Sequence, residues 1–310
     1  MKVCNGVRFN KISLKDKPIF DKYLSLERHE LSVYAFENIY IWKVLFNIEW
    51  SIIKKSLCIF FKDKLGTFLY LPPLSANKNP EAINEVFNFL KKFNKNNEIS
   101  RIENIEKKDL PFYENLAYDC KNKSYDYFCQ RASLVNLSGN KFKPKRSSIN
   151  YFIKHYKFEY LPFSLKQKAS CLKLYDDWAK QRRSVSKDNV YLGMLEDSRC
   201  CLKEMLDNYP GLELIGRIVK INNEIKGLTF GFKLNSNTFC ILYEITDLAI
   251  KGLAQFIFAQ FCMELKDYKY INIMDDSGLE NLKKVKLSYR PIKLIPAYIA
   301  NIRNDPALPK

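Results

Sequence analysis

The hydrophobic pattern is clearest in the C-terminal half of the chain. In some stretches apolar residues recur every three or four positions, as in helices, and in others they form short runs typical of strands. Short connections rich in Asn and Ser separate these stretches. The predicted elements are a strand at 158–161, helices after Ser164 and at 191–209, strands at 212–221, 225–234 and 238–245, a helix from Gly252 to 265, a strand at 270–274, a helix at 278–286 and a strand at 292–299. This order predicts a mixed sheet that begins as an antiparallel meander.

The N-terminal half repeats the same order more weakly. Its predicted elements are a strand at 7–12, helical material to about residue 40, strands at 49–54, 57–62 and 67–71, a helix at 80–93 and a strand at 100–105. We therefore predict an α/β protein with two tandem units in the element order of GNAT acyltransferases. The predicted domains are residues 1–138, a basic linking helix at 139–157, and residues 158–310, which would carry the active site.

The junction between the two halves is strongly basic. Residues 136–157 include six Lys or Arg and no acidic residue, and Pro144 suits the first turn of a helix. Apolar residues mark one face of that helix, whereas Arg146 and Asn150 lie on another. Lys145, Arg146 and Asn150 are predicted to bind a phosphate-bearing substrate, although a solvated basic turn would have the same composition.

Charge and cysteine content narrow the class of protein. The 310 residues include 51 Lys plus Arg and 34 Asp plus Glu, a formal charge of +17, which favours polyanionic partners such as nucleic acid, anionic lipid headgroups or phosphorylated cofactors. Lysines spread evenly over the whole surface, without any polyanionic partner, would give the same excess of positive charge. The nine scattered cysteines are typical of free thiols in a reducing compartment, and no ligand spacing predicts a structural metal.

No segment has the pattern of a membrane anchor or an export signal. The most apolar stretch, 253–265, is interrupted by Gln255, Gln260 and Glu264. We expect a cytoplasmic protein, with contact at the inner membrane surface left open.

Two segments carry a family resemblance: GNKFKPKRSSINYF at 139–152 and GLENLKKVKLSYRP at 278–291. They resemble the C-terminal catalytic region of bacterial phosphatidylglycerol lysyltransferases, over about residues 22–300. The resemblance implies tandem GNAT-like units and transfer of an aminoacyl group from aminoacyl-tRNA to an anionic lipid headgroup. The chain departs from those enzymes in having no transmembrane portion, so a peptide or a small amine or hydroxyl is an alternative acceptor.

The resemblance also implies that a basic pair, Lys283 and Lys286, belongs to the active site. An Arg is usual at the first position of this pair, and a lysine there loses bidentate phosphate geometry. Ser288, Tyr289 and Arg290 follow directly and are predicted to extend the substrate-binding edge.

Carboxylates at two strand ends are the further candidates for chemistry. Tyr243 and Glu244 close the third strand of the C-terminal meander, where a GNAT sheet opens to admit substrate. Asp275 and Asp276 follow the strand at 270–274, at the carboxyl edge where open α/β sheets bind ligands. We predict catalytic roles for Glu244 and Asp275 and substrate binding for Tyr243 and Asp276. The alternatives are a lysine-paired Glu244 and an Asp276 that caps the next helix.

Gly252 raises a second enzymatic possibility. A coenzyme A site places phosphate on the amides at a helix start, after a Gln/Arg-x-x-Gly-x-Gly/Ala turn. Here Lys251 and Gly252 would contact phosphate, but Ala249 replaces the leading Gln or Arg.

Three functions therefore stand: an aminoacyl-tRNA-dependent transferase that needs no cofactor, a coenzyme A thioester-dependent N-acyltransferase, and a non-catalytic basic module that binds RNA or anionic lipid.

Overall fold

The computed structural model describes residues 2–4, 6–186 and 188–303. Its strands are β1 (Lys2–Cys4), β2 (Val7–Lys11), β3 (Asn47–Ile53), β4 (Ser56–Lys62), β5 (Thr67–Leu69), β6 (Arg101–Glu106), β7 (Tyr118–Gln130), β8 (Phe158–Pro162), β9 (Leu214–Ile221), β10 (Glu224–Asn235), β11 (Thr238–Thr246), β12 (Tyr270–Asn272) and β13 (Lys293–Ile302). Its α-helices are α1 (Lys17–Leu24), α2 (Phe36–Ile41), α3 (Pro80–Phe93), α4 (Leu110–Asn115), α5 (Arg131–Asn136), α6 (Lys143–His155), α7 (Lys168–Val185), α8 (Asn189–Asp207), α9 (Leu253–Glu264) and α10 (Glu280–Leu287).

The described chain forms two compact units. Unit 1 contains the residues up to Asp126 together with those from Ile295, and unit 2 is Tyr127–Leu294. Both units have mixed sheets, which confirms the predicted sheet type.

In unit 1, strands β1 to β5 pair antiparallel in chain order, and β5 pairs parallel with β6 after the crossover helix α3. Helix α3 begins at Pro80, and the Asn79 side chain accepts a hydrogen bond from the Ala82 amide at 3.1 Å. Such a cap satisfies an otherwise unpaired first-turn amide. The apolar face of α3, including Val86 and Leu90, packs into the core against Leu69 and other buried residues.

Unit 2 repeats this topology. Strands β8 to β11 pair antiparallel, and β11 pairs parallel with β12 after the crossover helix α9. On one side α9 packs against α6, where Phe152 is buried among Leu253, Phe256 and Ile257. The basic helix that the sequence predicts at 139–157 is therefore part of the core of unit 2.

The last strand of each sheet comes from the other half of the chain. Strand β13, at the C-terminal end, pairs antiparallel with β6 in unit 1. In unit 2, the end of β7 pairs antiparallel with β12. The compact units therefore divide the chain at 126/127 and 294/295, whereas the predicted domains divide it at 138 and 157.

The predicted elements of the two halves are present, with ends that differ by a few residues. Strands β1 and β7 and helices α4 and α5 are additions that the sequence pattern did not predict. Among the described residues, no helix combines the length and the apolar character that crossing a bilayer requires.

Candidate active site

Strand β11 of unit 2 extends beyond its pairing with β12. The parallel pairing joins Thr238, Phe239 and Cys240 to residues 270–272, and β11 then continues to Thr246. The second part of β11, which includes Glu244, therefore makes no ladder pairing with β12. Strand backbone without a ladder partner is a place where an elongated substrate can bind.

A β-bulge decides which way Glu244 faces. The β10–β11 register runs from Gly231↔Ile241 to Phe230↔Tyr243, so Leu242 is the extra residue. A bulge shifts the alternation of faces by one position. The Tyr243 hydroxyl consequently lies against α8, where it donates to the Ser198 carbonyl at 3.0 Å.

The carboxyl group of Glu244 lies in an apolar setting. Its Oε2 atom is buried and makes no hydrogen bond within the described part of the chain. Burial raises the pKa of Glu244 to about 8, and the nearby charge of Lys145 only partly opposes this rise. Glu244 therefore carries a proton over most of the neutral range. A carboxyl with such a pKa can exchange a proton with substrate near neutral pH.

Lys145 is the cation whose charge acts on the pKa of Glu244. Helix α6 presents it in its first turn, where its Nζ donates to Ser288 Oγ at 2.8 Å and lies 3.3 Å from the centroid of the Tyr289 ring. Burial lowers the pKa of Lys145 to about 8, and the charge of Glu244 partly opposes that shift. The two groups therefore titrate in the same pH range.

Apolar and weakly polar side chains surround this pair. Tyr289 is buried, its ring centroid is 4.2 Å from that of Phe258, and burial together with Glu244 raises its pKa well above the usual value. Cys129 is also buried, and its pKa is raised to about 12. Because the thiolate is the nucleophilic form, Cys129 is a poor nucleophile at neutral pH.

The predicted basic pair is split between two environments. Lys286 Nζ donates to the backbone carbonyls of Ile273, at 2.5 Å, and Asp275. Lys283 is exposed, with its Nζ 3.9 Å from Glu280 Oε2. One lysine thus fixes the loop after β12, and the other extends from the surface of α10.

Asp276 is held in the same loop. Its Oδ2 accepts a hydrogen bond from the Tyr127 hydroxyl at 2.5 Å, and its Oδ1 accepts one from the Gly278 amide at 3.0 Å. Met274 and Ser277 both have positive φ, near +60° and +51°, which is costly for residues with a Cβ. Asp276 therefore holds the turn before α10, and the Asp275 carbonyl is fixed by Lys286.

The other predicted binding residues lie apart from Glu244. The Arg146 guanidinium donates to the carbonyls of Leu137 and Gly139, the latter at 2.8 Å, and so closes the turn before α6. Asn150 and Arg290 are exposed. Of the predicted residues, the structure groups Glu244, Lys145, Ser288 and Tyr289.

Gly252 is explained by packing. It is the N-cap of α9 with φ +86°, and a Cβ at this position would collide with the backbone carbonyl oxygen of Ser148 in α6. The Nζ of Lys251 lies 4.5 Å from the centroid of the Tyr151 ring, also in α6. Helix α6 therefore lies against the helix start that would hold the phosphate of coenzyme A in the alternative function.

Sequence reasoning missed the contribution of β7 to this region. Tyr127 and Cys129 lie on β7, whose first part is polar and shows no strand-like hydrophobic run. Within the described chain, no group of three or more His, Cys, Asp or Glu side chains is arranged to hold a metal ion.

Unit 1 has a polar cluster of a different character. Glu106 accepts from the His29 Nδ1 at 3.0 Å and from the Glu30 amide at 2.8 Å, and Lys108 lies 3.0 Å away. These partners lower the pKa of Glu106 to about 2 despite its burial. A carboxylate satisfied in this way fixes the segment before α2.

Comparisons with known proteins agree with the fold. A sequence model of the family described as "Phosphatidylglycerol lysyltransferase, C-terminal" matches residues 25–301. A search of curated proteins finds no match.

Solved structures with a similar fold include a conserved protein of unknown function from Bacteroides thetaiotaomicron VPI-5482, with 26% identity, a TM-score of 0.85, and coverage of 96% of this chain and 100% of that one. L-PGS from Bacillus licheniformis is 16% identical, with a TM-score of 0.65 and coverage of 95% and 94%. A tandem GNAT protein from the clavulanic acid biosynthesis pathway is 6% identical, with a TM-score of 0.51 and coverage of 96% and 99%. The predicted tandem GNAT-like fold is thereby confirmed.

Proposed function

The chain belongs to the phosphatidylglycerol lysyltransferase C-terminal family, and from this premise we propose that it is an aminoacyltransferase that uses aminoacyl-tRNA as donor. The acceptor would be a lipid headgroup, a peptide, or a small amine or hydroxyl compound. The observation that supports catalysis most directly is the buried, unpartnered Oε2 of Glu244 beside Lys145. A buried polar atom left without a partner is costly to the fold, so it suits an atom that meets substrate.

The proposed reaction is an acyl exchange. The acceptor oxygen or nitrogen attacks the ester carbonyl carbon of the aminoacyl-tRNA and forms a C–O or C–N bond. The ester bond to the terminal ribose then breaks, and the acceptor's proton ends on the ribose oxygen. The donor is already activated, so the protein must supply positioning, a proton carrier, and positive charge for the developing oxyanion.

Glu244 is the proposed proton carrier. As a carboxylate it takes the proton from the attacking hydroxyl or neutral amine, and as a carboxylic acid it returns that proton to the leaving ribose oxygen. Its raised pKa of about 8 keeps both forms accessible near neutral pH.

Lys145 is the proposed source of positive charge. Its ammonium, held by Ser288 and by the Tyr289 ring, is fixed before substrate arrives. A preorganised cation in a poorly hydrated site stabilises an oxyanion more strongly than one in water. The exposed Lys141, just before α6, and Lys143, its first residue, would attract the phosphates of the tRNA acceptor end.

The test is transfer from radiolabelled aminoacyl-tRNA, supplied as a mixture of charged tRNAs, to phosphatidylglycerol vesicles, peptides and small amines. Glu244→Gln and Lys145→Met should each lower the transfer rate about 100-fold or more. The matched control changes the surface pair Lys173 and Asp177, whose Nζ to Oδ2 distance is 3.1 Å, to Met and Asn, and should leave the rate unchanged. Absence of transfer to every acceptor class would refute the proposal.

The same preparation separates the two alternatives. Binding of acetyl-CoA in calorimetry, with acetyl transfer and without RNA, would favour the coenzyme A-dependent N-acyltransferase. Salt-dependent RNA binding that Glu244→Gln leaves unaltered, with no transfer of any kind, would favour a non-catalytic basic module.

A further inference from the structure

A surface segment beside the candidate active site combines cations with exposed apolar side chains. We name residues 283–294 (KKVKLSYRPIKL) the basic–apolar segment; it has five Lys or Arg and no acidic residue. It runs from the last five residues of α10, through a tight turn in which the Arg290 amide donates to the Leu287 carbonyl at 3.0 Å, into the start of β13.

Large apolar side chains in this segment are unusually exposed. Val285, Leu287, Ile292 and Leu294 each expose between 41% and 53% of their surface. Leu294 lies at the start of β13, and Ile292 lies in the bend just before it. Single exposed apolar residues need no explanation, but four within ten residues of a surface segment indicate a contact.

Most cations of the segment lie at the surface. Lys283, Lys284 and Arg290 are exposed, and so is Lys293, whose Nζ lies 4.8 Å from the centroid of the Phe128 ring. The Lys286 ammonium instead binds backbone carbonyls. The exposed Lys141, just before α6, and Lys143, its first residue, extend the basic character, because the Nζ of Lys145 in the first turn of α6 bonds to Ser288 in the segment. A partner for this surface therefore needs negative charge together with an apolar phase.

We propose that the basic–apolar segment docks unit 2 onto an anionic lipid bilayer. Headgroup phosphates would meet the cations, while Val285, Ile292 and Leu294 would enter the boundary between headgroups and acyl chains. Nucleic acid matches the charge alone, because its exposed phosphate backbone offers nothing to aliphatic side chains. The bilayer uses both properties of the segment.

Docking at this segment has a consequence for the acceptor. Ser288 and Tyr289, which hold Lys145, lie within the segment. A lipid headgroup bound there would therefore arrive next to the proposed catalytic pair. This consequence rests on the proposed function, whereas the docking itself does not.

The experiment is flotation of the full chain with vesicles, without tRNA. One set is phosphatidylcholine, and the other contains about 30 mol% phosphatidylglycerol to give a negative surface. The wild-type chain should float with the anionic vesicles only. The variant Val285→Ser/Ile292→Ser/Leu294→Ser should bind them at least about tenfold more weakly, and Lys284→Gln/Lys293→Gln should weaken binding and reduce its dependence on salt.

The matched control is Leu165→Ser/Val185→Ser/Val190→Ser, which removes three apolar side chains that are 48% to 80% exposed elsewhere in unit 2. It should float like the wild-type chain, and so should Glu244→Gln, whose defect is expected in transfer alone. Circular dichroism and thermal melting of every variant ensure that lost flotation reflects the surface.

Equal flotation of the apolar variant and the wild-type chain would overturn the proposal. Loss of flotation in the Leu165/Val185/Val190 control would do the same, because it would make exposed apolar residues in general responsible. If no anionic vesicle binds but the lysine variant loses tRNA binding, the segment is a nucleic-acid surface. Transfer to a soluble acceptor without vesicle binding would refute docking and leave the proposed function standing.

Discussion

At the scale of single residues, Glu244 and Lys145 are an acid and a base whose pKa values are shifted toward each other. Desolvation raises the pKa of the acid to about 8 and lowers that of the base to about 8. Since burial disfavours the charged form of each, neither is a conventional surface ion. Active sites commonly contain groups adjusted in this way to the working pH.

The pH dependence of transfer follows from the two ionisations. Glu244 must lose its proton to act as a base, so the rate should rise as pH increases toward about 8. Lys145 must keep its proton to stabilise an oxyanion, so the rate should fall above about 8. We expect a bell-shaped profile of kcat/KM with its maximum near pH 8, and the two limbs belong to the coupled pair.

Substitutions should separate the two limbs. Glu244→Gln should abolish the rising limb together with most of the rate. Lys145→Arg should move the falling limb above about pH 10, because a guanidinium stays protonated there. A profile of unchanged shape in both variants would show that other groups control the rate.

Gly252 offers a test of packing against phosphate binding. Gly252→Ala places a Cβ against the Ser148 carbonyl in a left-handed conformation, and should lower the free energy of unfolding by about 2 to 4 kcal/mol. Gly193→Ala is the control. It lies in the middle of α8 with open space around it, so it should stabilise by about 0.5 to 1 kcal/mol. Urea unfolding measures both.

A stable Gly252→Ala variant that had lost only acetyl-CoA binding would contradict the packing explanation and restore the phosphate-binding role of this helix start.

At the scale of elements, the bulge in β11 shows where a sequence pattern stops being informative. The sequence predicts strand β11 and a catalytic role for Glu244. Strict alternation, however, would place Glu244 on the face that Tyr243 takes against α8. Nothing in the residue types around Leu242 marks it as the extra residue, because the register depends on the partner strand.

The loop after β12 depends on the hydrogen bonds that Lys286 makes to its backbone carbonyls. Lys286→Met would leave the Ile273 and Asp275 carbonyls without their ammonium donor, and should lower the free energy of unfolding by about 1 to 3 kcal/mol. Lys283→Met removes an exposed charge near Glu280 and should change it by less than about 0.5 kcal/mol. Chemical denaturation distinguishes the two.

A different result would support the pairing that the family resemblance implies. If both variants keep wild-type stability and lose transfer to the same extent, with a higher KM for aminoacyl-tRNA, the two lysines act together on the donor. The structure, with Lys286 bound to carbonyls and Lys283 at the surface, leads us to expect unequal effects.

At the scale of the whole molecule, local pattern predicted the repeated topology but not which segments complete each sheet. Helix α3 and the meanders follow from periodicity over a few residues. The pairing of β13 with β6, by contrast, joins residues almost 200 positions apart. Strand β7 was missed because its first part, including Lys121 and Lys123, is polar and lacks a strand-like apolar run.

The exchange of last strands predicts how the chain responds to division. A fragment of residues 1–138 lacks β13, whose Ala297 and Ala300 are buried in unit 1, and a fragment of residues 158–310 lacks the end of β7 and all of α6. Each fragment leaves a sheet edge and a core surface uncovered. We expect both to be aggregated or largely unfolded when expressed alone.

Residues 127–294 are the matched comparison, because this fragment keeps the end of β7 and every strand and helix that lies wholly in unit 2. It should show cooperative thermal unfolding by circular dichroism and elute as a discrete species. Cooperative folding of 1–138 and 158–310 on their own, with 127–294 unfolded, would instead mean that the tandem repeats are the autonomous units. The exchanged strands would then add little to the stability of either sheet.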